Sequence, residues 1–243
     1  MIRFSTFSPG SGRLVACVAV ALTIAAVAPA PADELWDRAS AIVAANESWA
    51  ALEIRASAEQ SNSRGQVVSR GETVVERANS RSVVETRSVV QRGENPPDAD
   101  MLLETGLAGP ATPGGDVPFL EVFDPAAKSQ LGLRREPGHD RTETGARAAI
   151  YRFSRRRTDG TVTHGTVWID STTGVPLRMS MRNPSPAAPL VESETRVEFN
   201  PSPSAWYGVN LRTRATARRF MVERRVIVEV EFDQHVFLDP MAE

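Results

Sequence analysis

The chain has 243 residues, with 28 Lys and Arg against 30 Asp and Glu, a formal net charge of −2, 41% hydrophobic and 6% aromatic residues. That length and apolar content suit one globular domain, and the interspersed charges of both signs leave no basic footprint for nucleic acid. The one cysteine, Cys17, excludes a disulfide framework, and Lys128 is the only lysine in an otherwise all-Arg cationic set, a compositional bias more than an anion-binding signal.

The first segment reads as an export signal. Arg3 and Arg13 precede the uncharged apolar run Leu14–Ala28, and Ala30–Ala32 sets small residues just before Asp33. This is the pattern of a cleaved secretory peptide, and the run is short of the about 20 residues a membrane span needs. The expectation is a signal peptide over 1–32, a periplasmic protein, and a single domain over 33–243. Cys17 opens the apolar run where a lipoprotein cleavage box would close it, so processing leaves a cysteine-free chain.

Asp33 can cap a helix over Glu34–Asn46, where Leu35, Trp36, Ala39, Ile42 and Val43 recur at helical spacing. A second short helix is expected at Met101–Leu103, after an acidic turn. Elsewhere the period is two. Leu52, Ile54, Ala56 and Ala58 alternate with Glu53, Arg55, Ser57 and Glu59; Val191, Val197 and Phe199 alternate with glutamates and Arg196. Val209, Leu211 and Thr213 alternate with arginines, and Val226, Val228, Val230 and Phe232 with Glu229 and Glu231. Longer, less regular strands are expected around 67–77 and 82–91. Strict alternation marks antiparallel strands with one covered and one wet face. Turn signals such as "SNSRGQ", "RTDGTV" and "DSTTGV" separate them, so the fold class is mainly β (α+β), a meandering antiparallel sheet, curved or partly closed. The Pro- and Gly-rich segment 93–141 reads as a long irregular insertion.

The stretch Gly165–Met181 reads as a hairpin. With a five-residue loop, Asp170–Gly174, Ile169 faces Val175 and Val167 faces Leu177. Val167, Ile169, Val175, Leu177, Met179 and Met181 then share one face, and Trp168 lies opposite with Pro176. A one-residue slip would split that set.

"GARAAIYRF" and "DGTVTHGTVWIDSTTGVPLRMSM", within Gly145–Met181, resemble the central hairpins of the periplasmic lipoprotein-carrier superfamily, the LolA-like and LolB-like proteins. They are also similar to the amino-terminal domain of RseB-type regulators. The order signal, helix, strands, hairpins, terminal strand extends the resemblance over Asp33–Asp239. It implies an open antiparallel half-barrel with one or two helices covering its concave face, and an apolar concave surface that holds acyl chains. On that reading Leu52, Ile54, Val167, Ile169, Val175, Leu177, Met179, Met181, Val228, Val230 and Phe232 line the cavity, and flexible methionines suit variable chains. Several strands depart from a lipid carrier's pattern by carrying Ala, Ser and Thr in place of Leu and Phe.

Chemistry is sparse. His139, His164 and His235 lack ligand spacing, so no metal site is expected, and there is no nucleophile elbow, Walker loop or Rossmann fingerprint. "SRRRTDG" and "ARRFMVERR" read as solvated arginines at strand ends, or as contacts to lipid headgroups or phosphate. The expectation is therefore a non-catalytic, cofactor-free, monomeric periplasmic carrier for a lipid or an acylated protein or peptide. The alternative is a regulatory module of the envelope that meets a membrane-anchored protein. An enzyme would need polar groups converging in a cleft, for instance His139 and Asp140 with a serine. A carrier predicts an open apolar cavity under the first helix; a partner-binding module predicts a filled interior and an available edge strand.

Overall fold

In the computed structural model of the protein, the structure describes residues 34–77, 84–93, 120–126, 128–141, 145, 147–156, 162–183, 190–219 and 222–237. The helix expected at Met101–Leu103 lies outside them. Helix α1 spans Glu34–Ala45. Ten strands follow: β1 Trp49–Asn62, β2 Val67–Arg77, β3 Val84–Gly93, β4 Arg134–Arg141, β5 Arg147–Arg156, β6 Val162–Asp170, β7 Pro176–Asn183, β8 Leu190–Phe199, β9 Gly208–Arg219 and β10 Val222–Phe237. They form one antiparallel sheet in the order β3-β2-β1-β10-β9-β8-β7-β6-β5-β4.

Every neighbour in that order but one is a consecutive pair in the chain. The exception joins β1 to β10, in register from Trp49↔Phe237 to Asn62↔Arg224. The sheet does not close into a barrel, and β3 and β4 are its edges. It is strongly curved, because one apolar cluster takes Ala56 of β1 and Val75 of β2 together with Tyr151 of β5 and Val167 of β6. A flat sheet could not bring strands so far apart in the order around a common core.

The strand β4 occupies the end of the segment expected to be irregular. Pro137 and Gly138 lie inside it, and its register against β5 shifts between Arg135 and His139. An edge strand tolerates this, since one side of its backbone makes no ladder bonds and a proline there costs none. Before it, short 3-10 turns at Leu120–Val122 and Lys128–Gln130 bring Val122 and Phe123 into the core.

The α1 stripe is as the period requires: Trp36, Ala39 and Val43 are buried, and Leu35 and Ile42 pack at its margin. Both ends of the helix are tied. Asn46, just past its end, donates from Nδ2 to the carbonyls of Ile42 (2.8 Å) and Pro203 (3.1 Å), and its Oδ1 accepts from the Trp206 amide at 3.1 Å. At the other end Arg38 donates to the Thr172 carbonyl at 3.2 Å, and Asp37 pairs with Lys128. The Arg38 stem crosses Gly174, whose φ is +81° and where a Cβ would stand 2.5 Å from Arg38 Cδ. Only glycine suits both the turn and that crossing.

Candidate functional site

The hairpin β6–β7 keeps the expected faces but not the expected partners. Ile169 pairs with Pro176, Val167 with Met179 and Gly165 with Met181, with a register shift between Trp168 and Ile169. The turn is longer than the five residues the sequence reading assigns. Asp170 donates its amide to the Val175 carbonyl (2.8 Å), and its Oδ1 accepts from the amides of Thr172 (2.9 Å) and Thr173 (2.7 Å). The carboxylate stabilises a turn one residue wider, the register shift adds a second residue, and Val167 is carried from Leu177 to Met179. A shift of two preserves the side of the sheet. Trp168 lies on the opposite face as expected, but its partner is Arg178, whose guanidinium sits 4.1 Å from the ring centroid, and not Pro176.

Of the residues expected to line a concave cavity, Val167, Ile169, Val175, Met179 and Val230 have no exposed surface at all. Ile54, Val228 and Phe232 are buried in the same cluster, and Leu177 and Met181 are partly buried against it. Leu52 is half-buried and lies outside the cluster. Across this face stand aromatic rings, of which Phe199 belongs to the expected alternation while Trp36 comes from α1, Tyr151 from β5, and Phe123 and Trp206 from turns. Trp36 stacks on Phe123 at 5.3 Å between centroids and meets Tyr151 at 5.3 Å; Trp206 stacks on Phe199 at 4.5 Å. The Trp206 indole donates to the Pro176 carbonyl at 2.9 Å, which fixes the loop after β8 onto β7. The Trp36 indole N–H is buried with no hydrogen-bond partner among the described residues.

The opposite face is polar and carries open grooves. One, of about 250 Å³, runs between Arg196, Glu198, Asn210, Arg212, Glu229 and Glu231. Another cavity, of about 770 Å³, lies at the strand ends away from α1 and takes in both sides of the sheet, with Arg182, Glu194 and Arg214 in its walls beside Val191, Ala215 and Val226. Neither is lined by a residue of the expected concave set.

On this polar face the register sorts the charges that the sequence intersperses. Around Glu53 the neighbours directly opposite are Glu76 on β2 and Asp233 on β10. Glu53 is buried, bonded to Arg55 Nε at 2.6 Å and to Gln234 Nε2 at 3.1 Å; Gln234 takes a positive φ of 52°. Farther along the sheet, Arg212 faces Arg196 across β9 and β8, and Arg152 faces Arg134 across β5 and β4. Like charges directly opposite are destabilising, and carboxylates offset part of it: Glu229 lies 3.1 Å from Arg212 and Glu136 3.3 Å from Arg152.

The arginine-rich stretches carry carboxylate partners of their own. Arg218 pairs with Glu223 at 2.9 Å across the β9–β10 turn, and Arg155 pairs with Glu121. His139, His164 and His235 fall on β4, β6 and β10. Among the described residues no grouping of His, Cys, Asp and Glu could hold a metal ion, and no helix is long and apolar enough to cross a membrane. His235 lies flat on Tyr207, 3.7 Å between ring centroids, with Nε2 3.0 Å from the Gly208 carbonyl. Burial holds its pKa below the ordinary imidazole value, against the opposing pull of that carbonyl and of Asp233.

No family model matches the chain, and no curated protein matches it in sequence. Among solved structures it is similar to a domain from Vibrio parahaemolyticus described as an outer membrane lipoprotein-sorting protein, at 8% identity and a TM-score of 0.40, over 86% of this chain and 94% of that one. A LolA superfamily protein from Nitrosomonas europaea is similar at 7% identity and a TM-score of 0.34, over 85% and 93% of the two chains. In the MucA/MucB complex of Pseudomonas aeruginosa the identity is 13% and the TM-score 0.26, over 82% and 94%. These neighbours belong to the two groups that Gly145–Met181 resembles, and they are likenesses of fold.

Proposed function

We propose that this chain is a non-catalytic binding module of the cell envelope that recognises a protein partner along an edge of its sheet. The observation that supports this reading is the sealed concave face: Val167, Ile169, Val175 and Met179 are fully covered by the protein's own side chains. A carrier's guest would need that surface. The two edges differ as well. On β4 the proline, the register shift and the charges blunt further pairing, whereas β3 contains no proline and runs Val84–Gly93 with no described strand beyond it. An extended partner segment adding to β3 would gain main-chain hydrogen bonds in the ordinary manner of strand addition. The partner class is a membrane-anchored envelope protein.

A second reading, a carrier for a lipid or an acylated protein, is favoured by one observation. The Trp36 N–H, a buried donor on α1 with no hydrogen-bond partner among the described residues, is one that a guest's ester or amide oxygen could satisfy. Native mass spectrometry of the protein isolated gently from its source separates the two. A chain free of adducts supports the partner-binding module. A stoichiometric lipid or acyl adduct overturns it in favour of the carrier.

A further inference from the structure

The polar face of the sheet has a charge division that the interspersed sequence conceals. One register row crosses the sheet through Glu72 of β2, Ser57 of β1 and Glu229 of β10. It continues through Arg212, Arg196, Ser180, Thr166, Arg152 and Arg134 on β9 to β4. The acidic end is reinforced by Glu53, Glu76 and Asp233 in another row. The basic end also holds Arg178 and Arg182 on β7 and Arg214 on β9; Glu198 and Glu194 of β8 face them, and arginine stays in excess.

We propose that the β4–β9 half of this face docks on an anionic lipid bilayer. Arg134, Arg152, Arg196 and Arg212 are all exposed, and among the described residues Arg134 has no carboxylate partner. At the usual strand spacing the two arginine pairs stand about 14 Å apart, with only hydroxyls between them in the row. The groove that takes in Arg196 and Arg212 also holds Glu198, Glu229 and Glu231, and it does not reach Arg134 or Arg152. Cationic charges on five of six neighbouring strands match a distributed surface of phosphate headgroups better than one phosphate ion. The face also tolerates arginine directly opposite arginine in two places, an arrangement that an external anionic surface relieves. The acidic half, on β1, β2 and β10, is repelled by the same surface and sets the orientation: β4–β9 toward the membrane, β1–β2 away.

The test is sedimentation of the whole protein with vesicles of phosphatidylglycerol and phosphatidylcholine in equal parts, against vesicles of phosphatidylcholine alone. At about 0.02 M salt the mixed vesicles should bind at least roughly tenfold more protein, and the difference should collapse near 0.5 M salt as the charges are screened. The quadruple variant R134Q/R152Q/R196Q/R212Q should lose that preference, while R64Q/R70Q, changed on the other half, should keep it. If the quadruple variant fails to fold by circular dichroism, the pairs R134Q/R152Q and R196Q/R212Q are measured separately, and each should weaken binding. Equal binding to both vesicle types at low salt overturns the proposal, as does undiminished binding by the arginine variants. Complete competition by millimolar inorganic phosphate would replace the bilayer with a single-anion site. Polyglutamate bound in preference to vesicles would replace it with an acidic peptide. Both outcomes overturn it.

Discussion

His235 sits where three interactions pull against one another. Its ring is half-buried against Tyr207, which disfavours the imidazolium, while the Gly208 carbonyl and Asp233 favour it. Burial is the largest effect, so the folded pKa lies below the unfolded value of about 6.5. A native state that binds fewer protons than the unfolded chain is stabilised above the unfolded pKa, and that stability is lost as pH falls through the folded pKa. A bare pH profile sums every ionisable group, so the informative quantity is a difference. Urea unfolding of wild type and His235→Gln should show a wild-type advantage that is greatest above about pH 7 and shrinks toward pH 5. An advantage that does not change with pH would mean that the ring contributes by packing alone. Gly165 makes another residue-scale point, one of pure sterics. Phe153 of the neighbouring strand lies across it, and a Cβ there would stand 2.2 Å from the Phe153 ring, so the glycine is what lets the ring cover the backbone.

At the scale of elements, α1 is fastened at both ends as well as along its buried stripe. The Asn46 side chain makes three hydrogen bonds while the residue is 6% exposed, linking the helix end to the loop that carries Trp206. Asn46→Ala leaves the Trp206 amide, a buried donor, without its acceptor, at a cost of about 1–3 kcal/mol. It should also free the loop, seen as a red-shifted, more quenchable tryptophan fluorescence before global unfolding. Unchanged fluorescence with lowered stability would show the loop held by Trp206 packing alone. The helix and most strands were legible from period alone, because burial on one side enforces it. The hairpin's faces were legible for the same reason. Its partners were not, because Asp170 stabilises a wider turn through side-chain bonds that no alternation pattern records. The strand β4 was hidden by Pro137 and Gly138, which argue against a strand everywhere except at an edge. The aromatic cover of the concave face was hidden too, since Phe123 and Trp206 come from turns without periodicity. Neither could the sequence show Arg196 facing Arg212 or Glu53 facing Asp233, since those meetings depend on register between strands set by all the turns together.

At the scale of the molecule, the question is whether the sheet is one cooperative unit. All of the chain's consecutive hairpins could form from local contacts, but β1 meets β10 only when the two ends of the domain come together. That seam is long, and Val230 lies at its centre: fully buried, opposite Ala56 on one side and Leu211 on the other. The apolar cluster runs without a break from Ala56 and Val75 through Val230 and Leu211 to Val167 and Tyr151. A contiguous core predicts that β1–β2 and β5–β7 open together. Val230→Ala removes buried apolar surface worth about 1–2 kcal/mol. Native-state hydrogen exchange should then show the slowest amides of β1 and of β6 losing protection by the same factor, although β6 lies four strands from the substitution in the sheet order. If protection fell only in β1, β2 and β10 while β6 kept its own, the seam would divide two subunits of folding. The β1–β3 hairpins could then detach without disturbing the sealed face. An equal loss would mean that any partner adding to the β3 edge is coupled through β1 and β10 to the core beneath α1, so that binding at the edge stabilises the whole domain.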